Sequence, residues 1–209
     1  KKEIPPSKPA NSMSPTKIFD SHEPDTLYQI VSQCRDCQFS QNRVLPLFGF
    51  GNPQAKLVIL TDVPSEVEKK SQNPINRENQ TRLEKMLQSV ELSWNEVYLM
   101  AVTKCPFSVD HENDFSMRDQ AIDTCKKHLK AHIEYITPLV MLVFGQTAAQ
   151  SILSTTVTID KFRGRWWNFQ GIAVIPTLDI SEIFSSQQNK KEAWMDIKAV
   201  KKVLSLRKS

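Results

Sequence analysis

The chain is predicted to fold as a parallel β-sheet covered by helices on both faces. Three observations carry that class. Four short apolar runs, at 57–60, 97–102, 140–144 and 172–175, have strand length and lack polar alternation, as strands buried on both faces do. Segments with apolar residues three and four apart separate them, the pattern of one-sided helices. Strands alternating with helices are joined by crossovers, and crossovers produce parallel pairing.

Residues 1–22 carry Pro5, Pro6, Pro9 and Pro15 among Lys, Ser and Asn. They are expected to form a flexible tail, with Ile18 and Phe19 as anchors for a partner. Residues 23–209 are expected to form a single domain. Its first helix spans 24–33, with Leu27, Ile30 and Val31 on one face, and a loop with Cys34 and Cys37 follows. Gly49, Gly51 and Pro53 mark a turn-rich approach to the first strand. A helix over 83–90 presents Leu83, Met86, Leu87 and Val90. The second strand runs into Cys105, and the next helix, 117–135, carries Cys125. Gly145 ends the third strand, a short helix covers 147–153, and Pro176 ends the fourth strand. The closing helix, 189–204, holds Trp194 and Val200. In sheets of this kind ligands bind beyond the carboxyl ends of the strands, here 61–65, 101–105, 145–146 and 177–181.

Cys34, Cys37, Cys105 and Cys125 are all the cysteines in 209 residues. A chain of this size buries a core without covalent staples, so the chelating pair Cys34/Cys37 argues for a bound metal or cluster. Zinc sites usually present two tight pairs, whereas Cys105 and Cys125 are far apart. A cubane iron–sulfur cluster tolerates that spacing, because each iron needs one thiolate. Among the histidines, His128 and His132 are expected to be a surface pair.

The net charge of +4 is mildly basic. Basic residues concentrate between Lys190 and Lys208, suiting contact with phosphate or an acidic partner. No run is long enough to span a membrane. Reduced cysteines without an apolar signal segment suggest the cytoplasm.

The order of Cys34-x-x-Cys37, Gly49-x-Gly51-Asn52-Pro53-x-Ala55-Lys56, Lys104-Cys105, Cys125, Phe144-Gly145, Arg163-Gly164 and the segment 176–181 resembles the iron–sulfur (family 4) uracil-DNA glycosylases. The resemblance covers roughly residues 27–204. It implies a three-layer α/β/α sandwich with a four-stranded parallel central sheet, and a [4Fe–4S] cluster on Cys34, Cys37, Cys105 and Cys125. Several positions depart from the family pattern. Thr61-Asp62-Val63-Pro64-Ser65 stands where the family has Gly-Glu-Ala-Pro-Gly, with a glutamate that positions water. Ile75 replaces a phenylalanine that stacks on uracil, Ala101 an asparagine that reads its edge, and Asp179 a histidine that steadies the leaving base. A flipped base is held by stacking and edge hydrogen bonds, and a carboxylate opposes a developing anion. Little glycosylase activity is therefore expected, with Asp62 and Asp179 as vestigial residues that cap the following turns.

A tail before the domain and the helix holding Trp194 resemble the psi subunit of bacterial DNA polymerase III, where a buried Trp lies in a C-terminal helix. That resemblance implies a non-catalytic replication accessory protein, docked on the clamp loader through the N-terminal tail and binding a chi-like partner, with weak DNA contact at most. Trp166, Trp167, Ile183 and Phe184 are candidate partner-binding residues; beside Arg163 and Arg165 the two tryptophans also suit a stacking platform or a strand edge. The alternative is an enzyme, a divergent glycosylase for uracil or a damaged base, using Asp62 to activate water.

Overall fold

A computed structural model of the chain describes residues 25–41, 43, 45–71, 73–107 and 115–207. The predicted tail anchors Ile18 and Phe19 lie outside the described residues. Strands β2 (Leu57–Thr61), β3 (Val97–Ala101), β4 (Val140–Phe144) and β6 (Ile172–Thr177) form a parallel core in the order β3-β2-β4-β6. The register sets Leu57 beside both Val97 and Val140, and Val140 beside Ala173. Every residue of β2, β3 and β4 is buried, which explains why these strands lack polar alternation.

The two faces bury separate clusters. Leu57, Ile59, Leu99, Leu142 and Ile175 pack beneath α3 (Arg77–Gln88), α7 (Ile180–Ile183) and α8 (Gln187–Arg207). Val58, Leu60, Tyr98, Met100, Val143 and Val174 pack beneath α4 (Phe115–Ile136), α5 (Gln146–Leu153) and α6 (Ile159–Phe162). The result is a three-layer α/β/α sandwich. The remaining described α-helices are α1 (Asp25–Gln33) and α2 (Glu66–Ser71).

Two antiparallel edge strands extend the expected four to six. β1 (Phe50–Gly51) pairs with β3, and β5 (Trp167–Phe169) pairs with β6. The glycines that mark 49–51 as a turn in the sequence are what let β1 approach β3. A Cβ on Gly51 would stand 2.3 Å from the Val97 carbonyl oxygen, and its φ of +118° disfavours any side chain. Pro176, expected to end its strand, lies inside β6. Pairing with β5 stops at Val174, so Pro176 sits where proline's missing N–H is tolerated.

Three expectations about side chains are corrected, for the His128/His132 pair, Trp194 and Ile183, while Trp167 takes the strand-edge place, one of its two readings. His128 and His132 are buried, because the face of α4 that carries Cys125, Leu129 and Ile133 packs on the sheet. Trp194 is 44% exposed, because Ala193, Ile197, Val200 and Leu204 form the inward stripe of α8 and Trp194 falls outside it. Ile183 is buried beneath α8 and offers no surface to a partner. Trp167 is half-buried, donates its indole N–H to the Phe162 carbonyl at 2.9 Å and packs edge-on against Phe162. Trp166 is exposed, and Phe184 is partly buried beside α3.

Candidate functional site

At the carboxyl ends of β2, β4 and β6 the chain gathers Asp62, Gly145 and Asp179. Gly145 sits at a φ of +87°, and a Cβ there would stand 3.1 Å from Asp62 Oδ2 and 3.6 Å from Asp179 Oδ2. Glycine therefore makes room for two carboxylates to face one point. Asp62 Oδ1 accepts from the Val63 N–H at 2.7 Å and from Arg118 Nη2 at 3.0 Å. Arg118, on α4, also donates to Thr147 Oγ1 at 2.9 Å, so it links α4 to the start of α5 around the carboxylate. Burial pushes the Asp62 carboxyl above its ordinary value; Arg118 pulls it back, and the nearby Asp179 charge adds to the rise.

The two acids differ in their other duties. Asp179 is the N-cap of α7: its Oδ1 accepts from the Ser181 N–H at 2.8 Å, and Glu182 completes the capping box. Asp62 caps no helix, because α2 begins only at Glu66. The cap expected of Asp62 is replaced by the pairing with Arg118. Glu68, buried in α2, organises the loop beyond. It accepts from the backbone and side-chain nitrogens of Asn76, both at 3.1 Å, and from the Ser65 N–H at 3.1 Å. That loop seats Ile75 in the core, and Ala101 is wholly buried at the end of β3.

The four cysteines are brought together. Cys34, Cys37, Cys105 and Cys125 line one small cavity with Val31, Arg43, Lys104 and His128. All four are free thiols. Arg43 joins the two halves of the site. Its Nη1 donates to Cys105 Sγ at 3.1 Å, while Nη2 donates to the carbonyls of Val31, Ser32 and Cys34 at 2.5, 3.0 and 3.0 Å. The Lys104 N–H donates to Cys125 Sγ at 3.3 Å. Burial pushes the Cys105 thiol up to about 12, and the neighbouring Cys125 and Cys37 sulfurs push the same way. Burial also raises Cys125, against the Lys104 N–H. Thiols so placed ionise when a cation joins them.

Behind this cavity lies a buried polar chain. Lys104 Nζ donates to the Phe48 carbonyl at 3.2 Å and meets His132 Nδ1 at 3.0 Å, and His132 Nε2 meets Tyr98 Oη at 3.1 Å. A charged Lys104 only donates, so Nδ1 accepts and Nε2 carries the proton toward Tyr98. Burial, with Lys104 beside it, holds His132 well below its ordinary value, so the ring is neutral.

Sequence reasoning missed Arg118 and Arg43. Arg118 had a signal: it stands seven residues before Cys125, on the same face of α4, so a cation was directed toward the core side. Arg43 stands in an irregular loop and had none. One further group, Cys34, Asp36 and His128, offers ligand atoms within 4.8 Å of one another. It shares Cys34 with the quartet. Asp36 itself is engaged by Lys127 in an exposed ion pair.

A parallel α/β/α sandwich with an arginine-held carboxylate beyond its strands and a four-thiol pocket at one edge defines the class. Residues 48–199 match the model of the uracil DNA glycosylase superfamily, and the chain belongs to that superfamily. It is 28% identical over 173 residues to a type-4 uracil-DNA glycosylase of Thermotoga maritima, covering 79% of this chain and 87% of that one. It is 23% identical to a type-4 uracil-DNA glycosylase of Archaeoglobus fulgidus, covering 84% and 90%. The counterpart in Saccharolobus solfataricus is 25% identical, covering 87% and 86%.

These relatives are named for an enzyme along most of their length. That overturns the expectation of a non-catalytic, psi-type replication subunit, and with it the clamp-loader and chi-like partners. The exposure of Trp194 removes the structural feature on which the psi resemblance leaned. Among the described residues no helix is long and apolar enough to cross a membrane.

Proposed function

We propose that this protein is a DNA glycosylase that hydrolyses the bond between uracil, or a damaged base, and its deoxyribose. The observation that carries the reading is the Asp62 carboxylate, desolvated beyond β2, open toward Gly145 and tethered by Arg118. A carboxylate lifted above its ordinary value is a better base near neutral pH. In the reaction Asp62 takes a proton from a water whose oxygen bonds to C1′. The C1′–N bond breaks, and the base leaves with its electron pair and is then protonated. Arg118 orients the carboxylate and keeps enough of it ionised to accept that proton.

We infer that Cys34, Cys37, Cys105 and Cys125 hold a [4Fe–4S] cluster. The donor set fits it. Four thiols converge on one cavity and two receive N–H···S bonds, the kind of contact that tunes such clusters. Zinc sites usually present two tight pairs, whereas Cys105 and Cys125 stand 20 positions apart in the sequence, a spacing that a cubane cluster tolerates. When bound, the cluster supplies a rigid cross-link between chain segments, and the hydrolysis above makes no use of it. Free thiols of this kind suit a reducing compartment, in keeping with a cytoplasmic protein.

The test is base release from duplex oligonucleotides carrying uracil or 7-methylguanine, read as alkali-labile cleavage, with Asp62→Asn as the variant. Release by the wild type, falling at least about 100-fold in the variant, supports the reading. No release of either base by the iron-loaded wild type, or full activity in Asp62→Asn, overturns it.

A further inference from the structure

The lysines at 190, 191, 198, 201 and 202 find no use in the site above. α8 carries them along the flank of the molecule, beside α3. Between the two helices, closed at one end by α7, runs a groove of about 520 Å³. Its floor is apolar, built from Met86, Phe184 and the 44%-exposed Trp194, with the buried Ile183 packed behind them. Its rim carries Arg82, Lys85, Lys190 and Lys191. A second concavity continues it through Ser89 and Trp194 and adds Lys198, Lys201 and Lys202. From Gln187 to Ser205 the α8 wall is about 27 Å long, at 1.5 Å per residue.

Charge decides what this surface fits. Arg82 pairs with Glu78, and Lys201 pairs with Glu91. Among the described residues, Lys85, Lys190, Lys191, Lys198 and Lys202 make no ion pair. An apolar trough with uncompensated cations on both sides complements a ligand that is apolar on one face and acidic on its flanks. Nucleic acid is the poorer match, because base stacking needs open ring faces. Here cations already cover them: Arg82 lies 4.8 Å and Lys190 5.8 Å from the Phe184 ring centre, and Lys198 lies 4.1 Å from that of Trp194. The floor also offers aliphatic groups and few hydrogen-bonding ones.

We infer that the α3/α8 groove docks an acidic amphipathic helix of a partner protein, laid alongside α8 as a third helix. The apolar stripe of such a helix, at i, i+3/i+4 and i+7, would cover Met86, Phe184 and Trp194. Its Asp and Glu residues would meet the lysine rims, which steer the encounter and set its polarity. The inference is independent of the base-excision reading, because none of these residues belongs to the Asp62 site.

The experiment selects a displayed library of random 16-residue peptides on the full-length protein. Enriched sequences are expected to be acidic, with apolar residues at helical spacing. The strongest peptide, made synthetically, is expected to bind at least tenfold more weakly to Lys190→Glu/Lys191→Glu and to Trp194→Ala, with both variants keeping the wild-type melting temperature. Because the three side chains are exposed, loss of fold does not confuse the result. Enrichment of basic or patternless peptides overturns the inference, as does binding indifferent to the charge reversal. So does a 20-nucleotide single strand that displaces the peptide, or self-association lost in Trp194→Ala, since each assigns the groove another occupant.

Discussion

Arg118 and Asp179 act on Asp62 with opposite sign, and this makes the carboxylate's environment measurable. Burial lifts Asp62 above 3.8, Arg118 lowers it, and the Asp179 charge raises it. Asp62 must be ionised to accept a proton, so the acidic limb of the pH–rate profile follows its titration. Arg118→Gln removes the lowering charge, and the limb should move to higher pH. Asp179→Asn removes the raising charge while leaving a residue that caps α7 well, and the limb should move to lower pH. Profiles of kcat/KM for the two variants check both signs. Movement of both limbs in one direction would mean that another group limits the reaction. The Asp62–Gly145 contact adds a steric condition. Gly145→Ala places a methyl 3.1 Å from Asp62 Oδ2 at a φ of +87°, so it should lose both stability and rate, by about 1–2 kcal/mol in folding alone.

At the scale of elements, one arginine fastens the last helix to the sheet. Arg163, just after α6, donates from Nε and Nη2 to Asp196 Oδ2 at 3.2 and 3.0 Å and pairs with Glu192, one turn earlier on α8. Thr177, at the end of β6, donates to the same oxygen at 2.8 Å. Burial raises the Asp196 carboxyl, with Thr177 and Arg163 opposing it. Arg163→Met strands a buried carboxylate and should cost about 3 kcal/mol in urea unfolding, with much of that recovered by adding Asp196→Leu. A single-variant cost below about 1 kcal/mol would show that water replaces the guanidinium. The same scale explains what was legible in the chain. The four central strands announced themselves because burial on both faces leaves them purely apolar. β1 and β5 did not, being two and three residues long and built around Gly51 and a half-buried Trp-Asn-Phe edge. Of the site, Asp62 was visible as an acid at a strand end and the cysteines as a spaced set. The Asp62–Arg118 pair was hidden, because it joins β2 to α4 across 56 residues. Ile75 and Ala101 misled for a related reason. Compared one by one with a family pattern they are missing functional groups, whereas in the fold both are buried packing residues.

For the molecule as a whole, the sulfur site decides how the N-terminal described segment is attached. α1 is nine residues long, too short to persist alone, and it meets the body through Val31, through the Tyr28–Phe48 ring contact at 5.6 Å and through its few neighbours on α4. The loop after it carries Cys34 and Cys37, whereas Cys105 and Cys125 belong to the end of β3 and to α4. A cluster bound by all four would cross-link α1 and its loop to the sandwich, with Arg43 adding hydrogen bonds along the same seam. The two sandwich cores need no such link, since α3, α7 and α8 on one face and α4, α5 and α6 on the other pack on the sheet directly. Removing the cluster should therefore act locally. Iron stripped by oxidation and chelation, or Cys105→Ala, should abolish absorbance near 400 nm, and amide protection in α1 should fall at least about tenfold, a loss of about 1.4 kcal/mol of local stability. Protection of β2 and β4 should stay within about twofold. Arg43→Gln should retain colour but lose iron faster to the chelator. Unchanged protection of α1 after iron loss would mean that packing alone holds the helix, and global unfolding would mean that the sulfur site supports the sheet itself.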